Sequence, residues 1–300
     1  MKTLFLVMFC LFYAGPTVAD NRDVLGIGRL FTNDYLGDGA DRWRSGSYQV
    51  SIMRGERWAG SPPAGLGQLL EFRLRTEIIS SGPDSGVVPD RPYVGFISLG
   101  IHNHMALGPT QLSFGADLVA IGPQTGVSDF QEKFHEQFSL PGPRGVSTQL
   151  DDAYHLSMLA ELSHSLKLND LVAIRPYAEL QFGVEDMARV GGDIIAGPIG
   201  HTDMLVRDLG TGQLIRAIEA GQPGAAVLLG ADWAYVVGSV YLPESMGYVA
   251  EENRFRGRVG LHWQFAPRVS FFYGLTYLSK EFVGQSEGQL LGGLKLNFTF

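Results

Sequence analysis

The sequence predicts an all-β chain, a transmembrane up-and-down antiparallel β-barrel of about twelve strands. Three observations predict it. Apolar and polar residues alternate with period two over long runs. Each run is roughly ten residues, the length a tilted membrane strand needs. The chain also closes Leu294-Lys295-Leu296-Asn297-Phe298-Thr299-Phe300, alternating to a terminal phenylalanine as bacterial outer-membrane barrels do.

The alternation is clearest in three segments. From Leu70 to Ile78, Leu70, Phe72, Leu74 and Ile78 alternate with Glu71, Arg73, Arg75 and Glu77. From Val172 to Phe182, the apolar series Val172, Ile174, Pro176, Ala178, Leu180 and Phe182 alternates with Arg175, Tyr177, Glu179 and Gln181. From Phe255 to Phe265, Phe255, Val259, Leu261, Trp263 and Phe265 alternate with Arg256, Arg258, His262 and Gln264. Such strands have one greasy and one charged face. In a barrel the first meets lipid and the second the lumen. Aromatics near strand ends (Trp43, Tyr93, Trp233, Trp263, Tyr273 and Tyr277) fit the interfacial girdles of such barrels. Weaker strands at 24–33, 45–54, 93–102, 111–121, 153–165, 187–197, 225–238, 268–279 and 289–300 complete the set.

The remaining composition bounds the class. Residues 1–19 read as a secretory signal peptide: Lys2 is the basic start, Leu4 to Tyr13 the apolar centre, and Thr17-Val18-Ala19 the cleavage site, leaving residues 20–300 as one barrel domain. Cys10, the only cysteine, lies in that leader, so the exported chain is expected to have no thiol. The net charge of −8 and the lack of a basic stripe argue against nucleic acid as a partner.

With both termini periplasmic, the connections at 34–44, 80–92, 122–152, 184–186, 239–254 and 280–288 are extracellular. The periplasmic turns 103–110, 166–171 and 266–267 are short, as expected. The stretch 198–224 is too long for a periplasmic turn and is read only as strand extension past the membrane.

The longest outer connection, 122–152, holds the segment with most chemistry. Residues 128–138 predict a short amphipathic helix with Ser128 as its cap. Phe130, Phe134 and Phe138 fall on one face at four-residue spacing and read as packing residues. Gln131 and His135 share the adjacent face and would point into one cleft at the barrel rim. Asn33 and Asp34 end the first strand nearby. Ser45 starts the second, sharing parity with Ser47, Gln49 and Ser51 on the lumen face. Histidine takes a proton near neutral pH, and asparagine and aspartate offer the oxygen ligands of a hard cation. Two other motifs carry less. In Ser163-His164-Ser165 the histidine has the parity of the lipid face, unlike a hydrolytic triad. Gly26-x-Gly28 lies within a strand with no helix following, unlike a dinucleotide fingerprint.

An ordered set of motifs runs along the chain: Asn33-Asp34, Asp41-Arg42, Ser45-Gly46, Asp90-Arg91-Pro92-Tyr93-Val94-Gly95, Gly122-Pro123, Gln131 with His135, Glu281-Phe282 and the terminal Phe300. In that order they resemble the LpxR-type lipid A 3′-O-deacylases of the outer membrane. The resemblance implies hydrolysis of an acyl ester of lipopolysaccharide, the 3′-acyloxyacyl group, by a water that His135 activates, with Ca2+ polarising the carbonyl. It implies Asp34 and Asn33 as metal ligands, and Gln131, Ser45 and Asp34 as further site residues. Departures are a serine at position 45 where the family usually has threonine, Leu140-Pro141-Gly142 where it has a glutamate, and no lysine in 80–89. The resemblance further implies lipid A and outer-membrane lipids as the chain's partners; a small barrel with its own lipid face is expected to be monomeric. Two other readings remain open: a non-enzymatic barrel, channel or structural, on the same scaffold, and a serine-type outer-membrane lipase.

Overall fold

The computed structural model describes residues 22–82, 89–267 and 269–298. The expected leader over 1–19 and the terminal Phe300 lie outside them. Twelve long strands form the barrel: β1 (Asp23–Asn33), β2 (Arg44–Gly55), β3 (Leu69–Ile79), β4 (Val94–Leu107), β5 (Thr110–Ile121), β6 (Ala153–His164), β8 (Val172–Phe182), β9 (Glu185–Ala196), β12 (Gly224–Ser239), β13 (Asn253–Ala266), β14 (Val269–Leu278) and β15 (Gln289–Phe298). Short β7 (Leu166–Lys167) lies between β6 and β8. Every pairing is antiparallel, and the circle closes twice over, as β1 meets β15 at Phe31 and Leu294 and β6 meets β8 at Met158 and Phe182. Closing the sheet on itself pairs its outermost long strands, as a spanning sheet in lipid requires.

The predicted alternation sets the two faces. Leu74, Leu99, Leu118, Leu156, Leu180 and Val259 are exposed on the outer wall. Their neighbours Arg73, Arg75, Glu179, Arg256 and Arg258 are buried in the lumen. Of the expected girdle, Trp233, Trp263, Tyr273 and Tyr277 are exposed, but Trp43 and Tyr93 are buried. These two lie at the rim that carries the 34–44 and 122–152 connections, and both are covered there.

The lumen is filled. Asp232 accepts hydrogen bonds from Arg189 at 2.6 Å, Arg256 at 3.0 Å and Tyr177 at 2.9 Å, and pairs with Arg258. Glu71 binds Arg73 at 2.8 Å, His104 at 2.8 Å and Ser51 at 2.6 Å. Two internal cavities measure about 30 and 20 Å³, each near the size of one water. Near the outer mouth, Tyr241 from the loop after β12 stacks on Phe96 with ring centroids 5.4 Å apart.

The stretch 198–224 corrects the expectation of strand extension. It folds into a hairpin, β10 (Met204–Arg207) and β11 (Leu214–Ile218), paired only with itself and tucked into the lumen. Arg207 reaches Glu161 at 2.8 Å and Asp193 at 3.0 Å on the barrel wall. Gln213 donates to the carbonyls of Val259 and Leu275, each at 3.1 Å. Gly26 is needed where the hairpin touches β1: a Cβ there would lie 2.2 Å from the carbonyl oxygen of Ala217. The Gly26-x-Gly28 pair therefore serves close packing, the usual meaning of glycine inside a strand. The Ser163-His164 pair is no triad either. Ser163 faces the lumen and accepts from Arg175 at 2.8 Å, while His164 meets Thr110 at 3.3 Å.

Candidate active site

The rim loops carry one full helix, α1 (Val127–Gln137), one residue earlier at each end than predicted. Its cap is Gly126, held at φ 68°, and Ser128 sits buried in the first turn instead of capping it. The left-handed backbone that glycine permits lets the chain turn sharply from β5 into the helix. Val127, Ser128, Gln131 and His135 form its buried face. The helix rests on the outside of the barrel wall. Gly95 lies on the outward face of β4, alternating with lumen-facing Phe96, and a Cβ there would come within 2.8 Å of Val127. Glycine at 95 is what lets the helix sit flush on the wall.

Tyr93, two residues before Gly95, is wholly covered. Its hydroxyl donates to Gln131 Oε1 at 2.9 Å. Burial, reinforced by the charges of Asp41 and Glu132, pushes the phenol well above its ordinary range, so it remains a donor. With its oxygen held by Tyr93, Gln131 keeps two N–H donors on its NH2 group.

His135 is oriented from the far end of the same loop. Its Nδ1 lies 2.5 Å from the carbonyl oxygen of Pro141. A carbonyl only accepts, so Nδ1 carries a proton, and Nε2 is the nitrogen left to exchange one. That Nε2 faces the carboxylate of Asp41 at 3.9 Å. Asp41 enters the cleft from the 34–44 connection; it was legible in the sequence only as half of the Asp41-Arg42 motif.

The start of that connection is a 3-10 turn, Asp34–Leu36, capped by Asn33. Asn33 Oδ1 accepts from the Tyr35 amide at 2.9 Å, and Asn33 Nδ2 donates to the Ser45 carbonyl at 2.7 Å. Asp34 is buried and accepts from the amides of Tyr35 at 2.8 Å and Arg42 at 2.9 Å. No cationic side chain pairs with it among the described residues. Burial, aided by the negative charges of Asp41 and Asp38, pushes its carboxyl up to about 8, although the two amide bonds favour the ion. Ser45 sits where the β2–β3 register shifts between Arg44 and Gly46. Its hydroxyl pairs with Ser80 at 2.7 Å. Among the described residues, no hydrogen bond joins Ser45 to His135.

The other sequence motifs form the frame beneath these groups. Asp90 accepts from the Trp43 indole at 2.9 Å and the Gly82 amide at 2.8 Å. Glu281 accepts from Arg91 at 2.9 Å and Arg44 at 2.5 Å, and Arg91 lies over the Phe282 ring. The arginines hold the Glu281 carboxyl far below the usual carboxylate range against the cost of burial. Asp90-Arg91-Pro92-Tyr93 and Glu281-Phe282, distant in sequence, thereby interlock and fix Tyr93 under Gln131. Trp43 at φ 49° and Ser139 at φ 54° are the non-glycine residues with left-handed backbone among those described. Both lie in loops that shape this cleft, and such conformations cost about 1–3 kcal/mol each.

The sequence matches the family profile "Outer membrane protein LpxR" over residues 4–300. The chain belongs to the LpxR family. Its fold agrees with LpxR from Salmonella typhimurium at a TM-score of 0.77 and 17% identity, over 92% of this chain and 100% of that one. The NanC porin, at TM-score 0.43, 7% identity and 92% and 100% coverage, and the KdgM porin in complex with disordered oligogalacturonate, at 0.41, 9% and 92% and 98%, are more distant barrels. No curated protein sequence matches. As an LpxR-family barrel, the protein belongs to the outer membrane, its apolar wall in lipid and α1 at the rim.

Proposed function

We propose that this protein is a lipid A deacylase that hydrolyses an acyl ester of lipopolysaccharide, the 3′-acyloxyacyl group, in the cleft between the barrel rim and α1. The observation that carries the reading is His135: buried on the helix face against the wall, with Nδ1 held by the Pro141 carbonyl and Nε2 turned to the cleft. In this reading Nε2 takes a proton from water as the water attacks the ester carbonyl, and the imidazolium returns it to the departing alkoxide. Asp41 steadies the imidazolium while it carries the positive charge. Gln131, anchored by Tyr93, offers its amide hydrogens to the ester or the water. Ser45 shapes the floor with Ser80.

The donor set fits a hard divalent cation in part. Asp34 is a buried carboxyl with like-charged neighbours and no cationic partner, a setting that Ca2+ would relieve. The Asn33 amide is engaged on both atoms, so only the second lone pair of Oδ1 is left to it. No group of three acidic or imidazole side chains converges at ligand spacing among the described residues, so backbone carbonyls, water and substrate oxygens would complete the sphere. Bound there, Ca2+ would stabilise the negative charge that develops on the ester oxygen.

The test is acyl release from lipopolysaccharide, followed by mass spectrometry, for wild type and for His135→Ala, Ser45→Ala and Ser165→Ala, with and without chelator. Loss with His135→Ala and with chelator is expected, and Ser165→Ala should behave as wild type. Full activity of His135→Ala would overturn the assignment. The filled lumen favours this reading over a channel.

A further inference from the structure

The sequence reading took Phe130, Phe134 and Phe138 as packing residues, yet they are 65%, 46% and 62% exposed. They form a ridge along α1, with ring centroids 6.3 Å apart for Phe130–Phe134 and 4.7 Å for Phe134–Phe138. Three exposed phenylalanines on one surface helix are costly in water. The opposite flank of the helix carries Asp129, Glu132 and Glu136, all exposed. Amphipathic helices at a membrane interface lay their apolar side against the acyl chains.

Its position supplies the occupant. Because α1 rests on the outer wall over Gly95, the outward residues that follow along β4 are Leu99 and Ile101, beside Leu118 on β5 and Leu156 on β6, all exposed to lipid. The ridge thus continues the lipid-facing wall at the rim. It also leads to the cleft: the Phe134 ring lies 6.4 Å from the His135 ring, centroid to centroid.

We infer that the Phe130–Phe134–Phe138 ridge is the acyl-chain seat of this protein: a fatty-acyl chain of an outer-leaflet lipid lies along it, entering sideways from the membrane, with its ester brought to His135. The ester half rests on the deacylase reading; the lipid contact does not. Substrate then never crosses water, and the ridge selects for a long chain because each added methylene buries more surface against the rings.

Two measurements test it. In a Cys10→Ser background, single spin labels are placed at Phe138→Cys and at Glu132→Cys, and the protein is reconstituted in lipopolysaccharide-containing vesicles. Oxygen should relax the Phe138 label more than a water-soluble nickel chelate does, and the Glu132 label should show the reverse. Equal exposure of both labels to nickel would overturn the inference. In the second measurement, the Phe130→Asn/Phe138→Asn double variant should raise KM for lipopolysaccharide by about tenfold, as the loss of part of one ring's transfer free energy predicts. An unchanged KM with long-chain substrate would also overturn it. His135→Ala should abolish turnover and leave both label patterns intact. A wild-type protein that deacylates nothing while the Phe138 label sits in lipid would refute the deacylase reading and leave the lipid contact standing.

Discussion

The lumen and the rim cleft are both rich in buried charge, and they treat it in opposite ways. In the lumen two carboxylates are ringed by arginines: Asp232 meets Arg189, Arg256 and Arg258, and Asp193 meets Arg207 and Arg258. At the rim, among the described residues, Asp34 has two backbone amides and no cationic side chain, and Asp41 faces a histidine at 3.9 Å. Charges that satisfy one another hold a structure in register. Charges left without a partner are available to a proton, a cation or a substrate. The hairpin sharpens the contrast, because it brings Arg207 to the wall inside the lumen, while α1 rests on the outside of the wall.

Four substitutions would break or sharpen this division. His135→Ala carries the largest expected effect: acyl release from lipopolysaccharide falls about 10²- to 10⁴-fold, as for other general bases, with the thermal unfolding midpoint unchanged. A large fall in that midpoint would mean that the cleft too is structural. Asp232→Ala should do the converse. It takes from Arg256 its carboxylate partner and from Arg189 and Arg258 one of two, at about 3–5 kcal/mol, read as a lower urea midpoint of the barrel, while the folded fraction still cleaves lipid. Selective loss of turnover with an unchanged urea midpoint would erase the distinction.

Asp34→Asn probes the unpaired carboxyl through pH. In the fold Asp34 holds its proton up to about 8, whereas an unfolded aspartate releases it near its ordinary value of about 4. Between those values the folded state binds the extra proton, so this group's contribution to stability falls as pH rises through the window. In chelator, wild type should therefore lose thermal stability relative to Asp34→Asn from pH 5 to pH 9. A constant difference would show that a partner neutralises the carboxyl. The smallest effect is expected from Tyr93→Phe, which removes one hydrogen bond to Gln131 worth about 0.5–1.5 kcal/mol. It should lower kcat a few-fold and barely move the unfolding midpoint; wild-type kcat would show that Gln131 needs no anchor.

Much of the barrel was legible in the sequence. Glu71, Arg73, Arg75 and Glu77 declared a lumen face against Phe72 and Leu74 because side chains alternate locally, whatever the strand pairs with. Gln131 and His135 declared a shared helix face in the same way, and the structure buries both. The pairing of Tyr93 with Gln131, the Pro141 carbonyl on His135 and the Glu281 bridge to Arg44 and Arg91 were not legible. Each joins segments through loop packing or barrel closure, and no periodicity records such meetings.

The alternation of this chain, by itself, determined a barrel of about twelve strands and set 34–44 and 122–152 at the same end of it, since both follow from short-range geometry and strand count. Only the tertiary structure decided that residues 198–224 turn inward, because the partners of Arg207 stand on distant strands. It alone also turned the three phenylalanines of α1 outward, because a helix pattern states which residues share a face and leaves the environment of that face to what the helix packs against.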